Sequence, residues 1–338
     1  MSGSTEGTVR VGLNGFGRIG RNVFRASLGD PQVEVVGIND VMNFEQMAYL
    51  AEYDTNLGNL SEDIELDGNE LHVGDEVISV FNIQSPAELP WDDLDVDVAI
   101  ESTGIFRTKD EASAHLEAGA NKTLISAPPK GNKPVSQFVF GVNQDEYDGE
   151  DVVSGASCTT NSVSLPMYVL LEEFGVDSAE MTTIHAYTGS QAIVDSPKSK
   201  IRRGRAAAEN IVPTTTGASQ ATTDILPALE DNFEAMAVRV PTAAGSITEI
   251  VVDLPGNPGV EAINDAMTEY ANGELEHSMG ATNDEIVSSD IVGWEYGSCV
   301  DLRQTSTVEG GDLAKIFAWY DNEMGYTSQM MRLADYIA

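Results

Sequence analysis

Apolar residues fall along this chain in two textures. In the first half, short apolar runs alternate with amphipathic stretches. VRVGLN (9–14) reads as a buried strand, and GFGRIGRNVFRASL (15–28) opens a helix behind it. VEVVGIND (33–40) reads as the next strand, and VDVAIESTG (96–104) and KTLISAP (122–128) are further β-rich segments ending in small residues. Strands alternating with helices predict a parallel sheet with helices on both faces. Beyond residue 158 the texture changes. EMTTIHAYT (180–188), MAVRVPTAAGSITEIVVDLP (236–255), IVGWEYGSCVDLRQT (291–305) and AKIFAWYD (314–321) read as strands with few helices between them. That pattern predicts a mostly antiparallel sheet in a second, α+β domain. TTNSVSLPMYVLLEEFG (159–175) reads as a helix, with Pro166 as a kink or a late first-turn residue. The tail NEMGYTSQMMRLADYIA (322–338) returns to helical spacing, with Tyr326, Met330, Leu333 and Ile337 on one face.

Length and charge narrow the function classes. A chain of 338 residues with 41% hydrophobic residues suggests two domains with real cores. No apolar run approaches the ~20 residues of a membrane helix. The opening MSGSTEGTVR lacks the apolar stretch of a secretory signal. Two cysteines cannot form a disulfide framework, so the expected compartment is the cytoplasm. Lys and Arg total 18 against 55 Asp and Glu, a net charge of −37 spread along the chain. Such self-repulsion opposes compaction in dilute buffer. In molar salt the Debye length falls to about 3 Å and screens it. A salt-rich cytoplasm is therefore expected, and nucleic acid is not expected as a main partner, because phosphate-backbone binding needs clustered cations.

Three stretches carry candidate chemistry. NGFGRIG holds a G-x-G-x-x-G pattern at Gly15, Gly17 and Gly20, between a strand and a helix. Such glycines let the backbone approach a pyrophosphate that the helix N-terminus then holds. Asp40, at the end of the second strand, stands where a carboxylate bonds the adenosine ribose and repels a 2′-phosphate, which favours NAD over NADP; otherwise it is a solvated turn residue. In SGASCTTNSVS (154–164), Cys158 is either a small buried hydrophobe or a nucleophile at a helix start, where the positive helix end lowers a thiol pKa. Of four histidines, His72 and His277 lie in polar, loop-like surroundings and His115 on a polar helix. His185 alone lies in a β-like run among small residues, as a partner for Cys158 or as a structural histidine. In a chain so acidic, RRGR (202–205) fits phosphate through the planar guanidinium fork, with Arg202 or Arg205 expected in a salt bridge at a subunit contact. Cys299 has no motif around it and is expected to be a buried structural thiol.

NGFGRIGR, IND, STG, SGASCTTN, HAYTG, RGRAAAENIVPTTTGA, VRVPT and WYDNEMGY occur in this order. With them the chain closely resembles the phosphorylating glyceraldehyde-3-phosphate dehydrogenases over essentially its full length. The resemblance implies a Rossmann-type NAD-binding domain over residues 1–157 and 322–338. It implies a catalytic domain over 158–321, including the loop 188–213. It implies NAD as cofactor, no metal, glyceraldehyde 3-phosphate and inorganic phosphate as partners, and a homotetramer. Cys158 is then the nucleophile that forms a thiohemiacetal and a thioester, and His185 its proton acceptor. Thr188 and Arg239 are assigned to the substrate phosphate. Ser157, Thr159, Arg203, Thr216 and Gly217 are assigned to the attacking phosphate. Asn14, Gly15, Phe16, Gly17, Arg18 and Ile19 match the pyrophosphate loop. Ser102, Thr103 and Gly104 match the adenosine side, and Ser126 the ribose and nicotinamide side. Asn322 matches the residue that binds the nicotinamide carboxamide, and Tyr326 an aromatic beside that ring. Pro197 matches a position associated with NAD. Departures are Ser190, where Asp is common; Gln84, where Arg usually flanks the adenine pocket; the run after Asp40; Ser162, replacing a second cysteine; and the placement of Pro166.

Overall fold

The structure is a computed structural model and describes residues 7–338. Most of the opening segment read for a signal, and the first six residues of the expected N-terminal domain, lie outside the described residues. The chain forms two compact units. The first takes the described residues up to Phe140, then Gln144–Ala156 and Met330–Ala338; the second takes Gly141–Asn143 and Ser157–Gln329.

The first unit is built on nine strands: β1 (Val9–Asn14), β2 (Val33–Asn39), β3 (Ile64–Asp67), β4 (Glu70–Val73), β5 (Glu76–Phe81), β6 (Val98–Glu101), β7 (Lys122–Ile125), β8 (Ser136–Gln137) and β9 (Val152–Ser154). Their order in the sheet is β3-β4-β5-β2-β1-β6-β7-β9-β8. Pairing is parallel throughout except at the β3–β4 and β4–β5 contacts. The helices are α1 (Arg18–Ser27), α2 (Phe44–Glu52), α3 (Lys109–Ala112) and α4 (Ala114–Glu117). Val11 and Leu13 of the central β1 are fully buried, as parallel strands covered on both faces must be. Gly12 and Gly37 lie opposite each other in β1 and β2 and leave room for the fully buried Trp91. A methyl on Gly37 would come within 2.8 Å of Leu94. Strands β1, β2, β6 and β7 end at Asn14, Asn39, Glu101 and Ile125. The residues matched to the cofactor therefore follow the carboxyl ends of the strands, where open α/β sheets bind ligands.

The second unit holds β10 (Ser178–Ala186), β11 (Val212–Thr215), β12 (Phe233–Val240), β13 (Ser246–Asp253), β14 (Met279–Thr282), β15 (Ser298–Asp301), β16 (Ser306–Thr307) and β17 (Leu313–Tyr320). The sheet runs β11-β12-β10-β13-β17-β15-β14, with β16 beside β17. β10–β12 and β14–β15 are parallel pairs; the others are antiparallel. Its helices are α5 (Cys158–Phe174), α6 (Ala218–Ile225) and α7 (Gly259–Ala271), and α8 (Met324–Ile337) carries the chain back to the first unit.

Several expectations change. The run 236–255 is two strands, broken over 241–245, where Pro241 removes a donor and Gly245 takes φ 84°. In 291–305 only Ser298–Asp301 is a strand; Gly293 turns at φ 88° and donates its amide to Asp321. Helices α6 and α7 exceed the few expected, because short polar-rich helical faces resemble loops in sequence. The last change of unit falls at Met330 rather than at 322. The reason is local: Asp321 and Asn322 are bonded to Gly293 and Ser246 of the second unit. Pro166 sits mid-helix, and α5 runs through it. Proline cannot donate to the carbonyl four residues back. Here Ser298 Oγ donates to that carbonyl, on Ser162, at 2.8 Å.

Candidate active site

The nucleotide cradle is backbone. Gly15 has φ 99°, and a Cβ there would stand 2.6 Å from the Thr103 amide nitrogen; a Cβ on Gly20 would stand 2.0 Å from the Gly15 carbonyl oxygen. Only glycine fits this crossing of loop and helix. Gly17 is the N-cap of α1, is exposed, and has open space where a side chain would be, so the amides of the first turn are accessible to an anion. Asp40 braces the cradle: its Oδ2 accepts from the Phe16 amide at 2.6 Å and its Oδ1 from the Met42 amide at 3.0 Å.

Several side chains matched to the cofactor are used inside the protein instead. Phe16 is fully buried, edge-on to Phe24. Arg18 forms an ion pair with the buried Asp54. Ser102 Oγ donates to the Gly15 carbonyl at 2.7 Å. Asn14 is 2% exposed and donates to Glu101 at 2.6 Å, and its Oδ1 accepts from Asn39. Thr103 donates to Glu101 through both its amide and its hydroxyl. These residues shape the cradle from behind, while Gly15, Gly17, Ile19, Gly104 and Ser126 remain at its backbone or surface.

Glu101 is the residue the sequence hid. His115, expected on a polar helix, is fully buried: its Nδ1 accepts from Trp91 Nε1 at 3.0 Å, so Nε2–H faces Glu101 Oε2 at 3.2 Å. A buried carboxylate persists only where donors surround it. Here they come from Asn14, Thr103 and His115.

In the second unit, Cys158 is the first residue of α5, capped by Ser157, whose Oγ accepts from the Thr160 amide at 3.1 Å. Ala156, just upstream, is held at φ 56°, a left-handed conformation that costs a non-glycine residue roughly 1–3 kcal/mol and marks functional turns. His185, near the end of β10, brings Nε2 to 3.6 Å from Cys158 Sγ. His185 Nδ1 lies 2.6 Å from its neighbour's carbonyl, that of Ala186. The Arg239 Nη1 donor also lies 2.9 Å from Nδ1, but two acceptors do not approach as closely as Nδ1 and this carbonyl, so we assign the proton to Nδ1, which leaves the Nε2 lone pair facing the sulfur. Arg239 Nη1 donates to the same carbonyl at 2.9 Å. The His185 ring stands edge-on to Tyr320, centroids 5.9 Å apart.

Electrostatics revise one expectation. Burial holds the His185 pKa down to about 3, with Arg239 adding to the effect, so the imidazole is neutral at working pH. The Cys158 thiol was expected below its ordinary value; burial instead pushes it up, against the opposing pull of Arg239 and of Thr159. The helix-start argument omitted the desolvation of the sulfur. The pair at rest is therefore a thiol facing a neutral base. His185 titrates near its ordinary 6.5 when unfolded and near about 3 when folded. Between those values the unfolded chain holds a proton that the folded chain does not, so stability falls as pH drops through that window. His185→Asn removes this contribution. Relative to the variant, the wild-type urea midpoint should fall between pH 7 and pH 4; a constant difference would contradict the assignment.

Arginines converge beside the pair. Arg239 also reaches Thr188 Oγ1 at 3.5 Å, and its buried Nε has no protein hydrogen-bond partner. Arg203 donates to Thr214 Oγ1 at 3.1 Å, to the Thr215 carbonyl at 3.1 Å and to Ser190 Oγ at 3.4 Å; Ser190 Oγ is 2.8 Å from Thr188 Oγ1. Ser190 thus links the two assigned phosphate groups. Gly217 is the exposed N-cap of α6, and Thr216 Oγ1 accepts from the Ala218 amide. Thr159 is buried with its hydroxyl 3.1 Å from Tyr320 OH, so it does not face outward. Arg205 pairs with Asp195 of the same chain at 2.9 Å. Ser162 Oγ is buried 3.2 Å from Thr248 Oγ1, and Cys299 is buried, its thiol pushed up to about 12 by burial. Asn322 and Tyr326 are both buried. Among the described residues no cluster of three or more His, Cys, Asp or Glu could hold a metal ion, and no helix is long and apolar enough to cross a membrane.

Comparison with known proteins agrees with both units. Residues 9–109 match the NAD binding domain of glyceraldehyde 3-phosphate dehydrogenase, and residues 157–322 match its C-terminal domain. The glyceraldehyde-3-phosphate dehydrogenase of Haloarcula vallismortis is 57% identical over 335 residues, covering 97% of this chain and 98% of that one. Glyceraldehyde-3-phosphate dehydrogenase 1 of Bacillus subtilis and the enzyme of Geobacillus stearothermophilus are each 44% identical over 332 residues, with 98% of both chains covered.

Proposed function

The chain belongs to the glyceraldehyde 3-phosphate dehydrogenase family, and from that premise we propose that Cys158 and His185 carry its NAD-dependent oxidation of D-glyceraldehyde 3-phosphate with inorganic phosphate. The observation that carries this reading is the 3.6 Å approach of Sγ to an imidazole nitrogen whose tautomer the Ala186 carbonyl fixes. His185 Nε2 takes the thiol proton as sulfur adds to the aldehyde carbon, giving a thiohemiacetal. The Cys158 amide, at the start of α5, steadies the oxygen. His185 returns that proton to the alkoxide, which completes the thiohemiacetal hydroxyl, and with Nε2 free again it takes the hydroxyl proton back as the carbon loses hydride and the thioester forms. Bound NAD supplies the hydride acceptor. Phosphate attacks the thioester, the C–S bond breaks, and the acyl phosphate leaves with the thiol restored.

Thr188 and Arg239 hold the substrate phosphate, and Arg203, Thr216 and Gly217 the attacking one, with Ser157 and Thr159 shaping the loop around the cysteine. The Gly15–Ile19 backbone binds the pyrophosphate, Asp40 the ribose, and Asn322 the carboxamide. The unit that ends with Met330–Ala338 binds the nucleotide, and the unit over Ser157–Gln329, which includes Asn322, carries the catalytic residues. The enzyme acts as a homotetramer in a salt-rich cytoplasm. The test is initial rate with NAD or NADP, with and without phosphate, across a KCl series. Phosphate dependence, NAD preference and a rise in activity towards molar salt are expected; full-speed oxidation without phosphate or arsenate would overturn the reading. Asp40→Ser should lower kcat/KM for NAD and raise that for NADP by about tenfold, because a buttress of the cradle and the repulsion of a 2′-phosphate go together. Unchanged cofactor preference in that assay would remove Asp40 from the site.

A further inference from the structure

Ser246 occupies a junction that no motif marks. It is the first residue of β13, which lies between β10, carrying His185, and β17, leading to Asn322. Its entry is set by Gly245, at φ 84°, where a Cβ would stand 2.2 Å from the Ser288 carbonyl oxygen. Ser246 is 1% exposed. Its Oγ accepts from the Ala186 amide at 3.1 Å and lies 2.9 Å from Asn322 Oδ1. One oxygen therefore touches both the residue whose carbonyl fixes the His185 tautomer and the side chain assigned to the nicotinamide carboxamide.

We propose that Ser246 is a positioning residue that sets which end of the Asn322 amide faces the cofactor and holds the Ala186 peptide that orients His185. The hydroxyl has one proton. Having accepted from Ala186, it donates that proton, and the partner on Asn322 must be the oxygen. Oδ1 is thereby committed to the protein and Nδ2–H2 is left as the outward donor, suited to the carbonyl of a carboxamide. Without the hydroxyl the amide is free to turn and present either end. The inference rests on the reading of Asn322 given above.

Ser246→Ala and Ser246→Cys are compared with Asn322→Ala by calorimetric titration with NAD and with ADP-ribose, which lacks the nicotinamide ring. Cysteine keeps the volume but donates weakly, so it covers the case in which the alanine variant does not fold. Both Ser246 variants should weaken NAD by about tenfold, the size of a lost buried hydrogen bond, and leave ADP-ribose unchanged. In the double variant with Asn322→Ala, the Ser246 change should add less than about threefold, because the two act as one unit. The pH profile of Cys158 alkylation, measured without cofactor, should also shift in Ser246→Ala. Equal loss for both ligands, or loss of melting temperature alone, overturns the inference. If Asn322→Ala itself leaves NAD affinity unchanged, the reading of Asn322 fails; if it weakens NAD while the Ser246 variants do not, the role of Ser246 fails.

Discussion

Cys158→Ser is expected to lower phosphate-dependent NAD reduction by at least about 10⁴-fold, the scale seen when a covalent nucleophile is removed. The substitution changes one atom and leaves the α5 start, the Ser157 cap and the cradle in place. Serine is far harder to ionise than cysteine, and the neutral His185, with its pKa near 3, is a weak base for that proton. The loss should therefore fall on kcat, with NAD affinity unaltered. Absorbance of reduced nicotinamide measures the first and calorimetric titration the second. Iodoacetamide should label the wild type at Cys158 and leave Cys299 unmodified, since Cys299 is buried and its thiol is raised to about 12. Turnover above about one per cent of wild type in the serine variant would remove Cys158 from the chemistry.

His185→Asn is the second large effect. Loss of a positioned general base costs about 10²–10⁴-fold, and near neutrality the variant should fall in the upper part of that range. The upper part is expected because burial raises the Cys158 thiol, leaving little thiolate to react unaided. The sign with pH follows. In the wild type the imidazole is neutral and accepting at every pH well above about 3. In the variant, rate depends on spontaneous ionisation of a raised thiol and so climbs as pH rises. The ratio of wild type to variant should shrink steadily from pH 7 to pH 10. A constant ratio would mean that His185 acts by something other than proton transfer.

Much of this was legible in the sequence because it depends on local constraints. Gly15 and Gly20 announce a backbone crossing that no other residue fits, and a strand before and a helix after them define the cradle. The near-continuous apolar run VRVGLN matches the burial of β1, in which every residue but Arg10 is buried. What stayed hidden depends on distant partners. His115 resembles a surface residue until Trp91 and Glu101, apart in sequence, close over it. Asn14, Arg18, Ser102 and Thr103 carry the motif yet turn their polar atoms inward, because Glu101, Asp54 and Gly15 need them. The direction of the Cys158 shift was missed for the same reason: a helix start is visible in sequence, but the desolvation of the sulfur is not. Ser246 was invisible because its role comes from sheet order, in which β13 separates two strands distant in the chain.

The most direct test of covalent catalysis is intact-protein and peptide mass spectrometry of the enzyme quenched in acid after mixing with NAD and glyceraldehyde 3-phosphate in phosphate-free, high-salt buffer. A 3-phosphoglyceroyl thioester should be found on the peptide bearing Cys158, should disappear when phosphate is added, and should be absent from Cys158→Ser. NAD reduction proceeding with no such adduct, or with the adduct on another residue, would contradict the account.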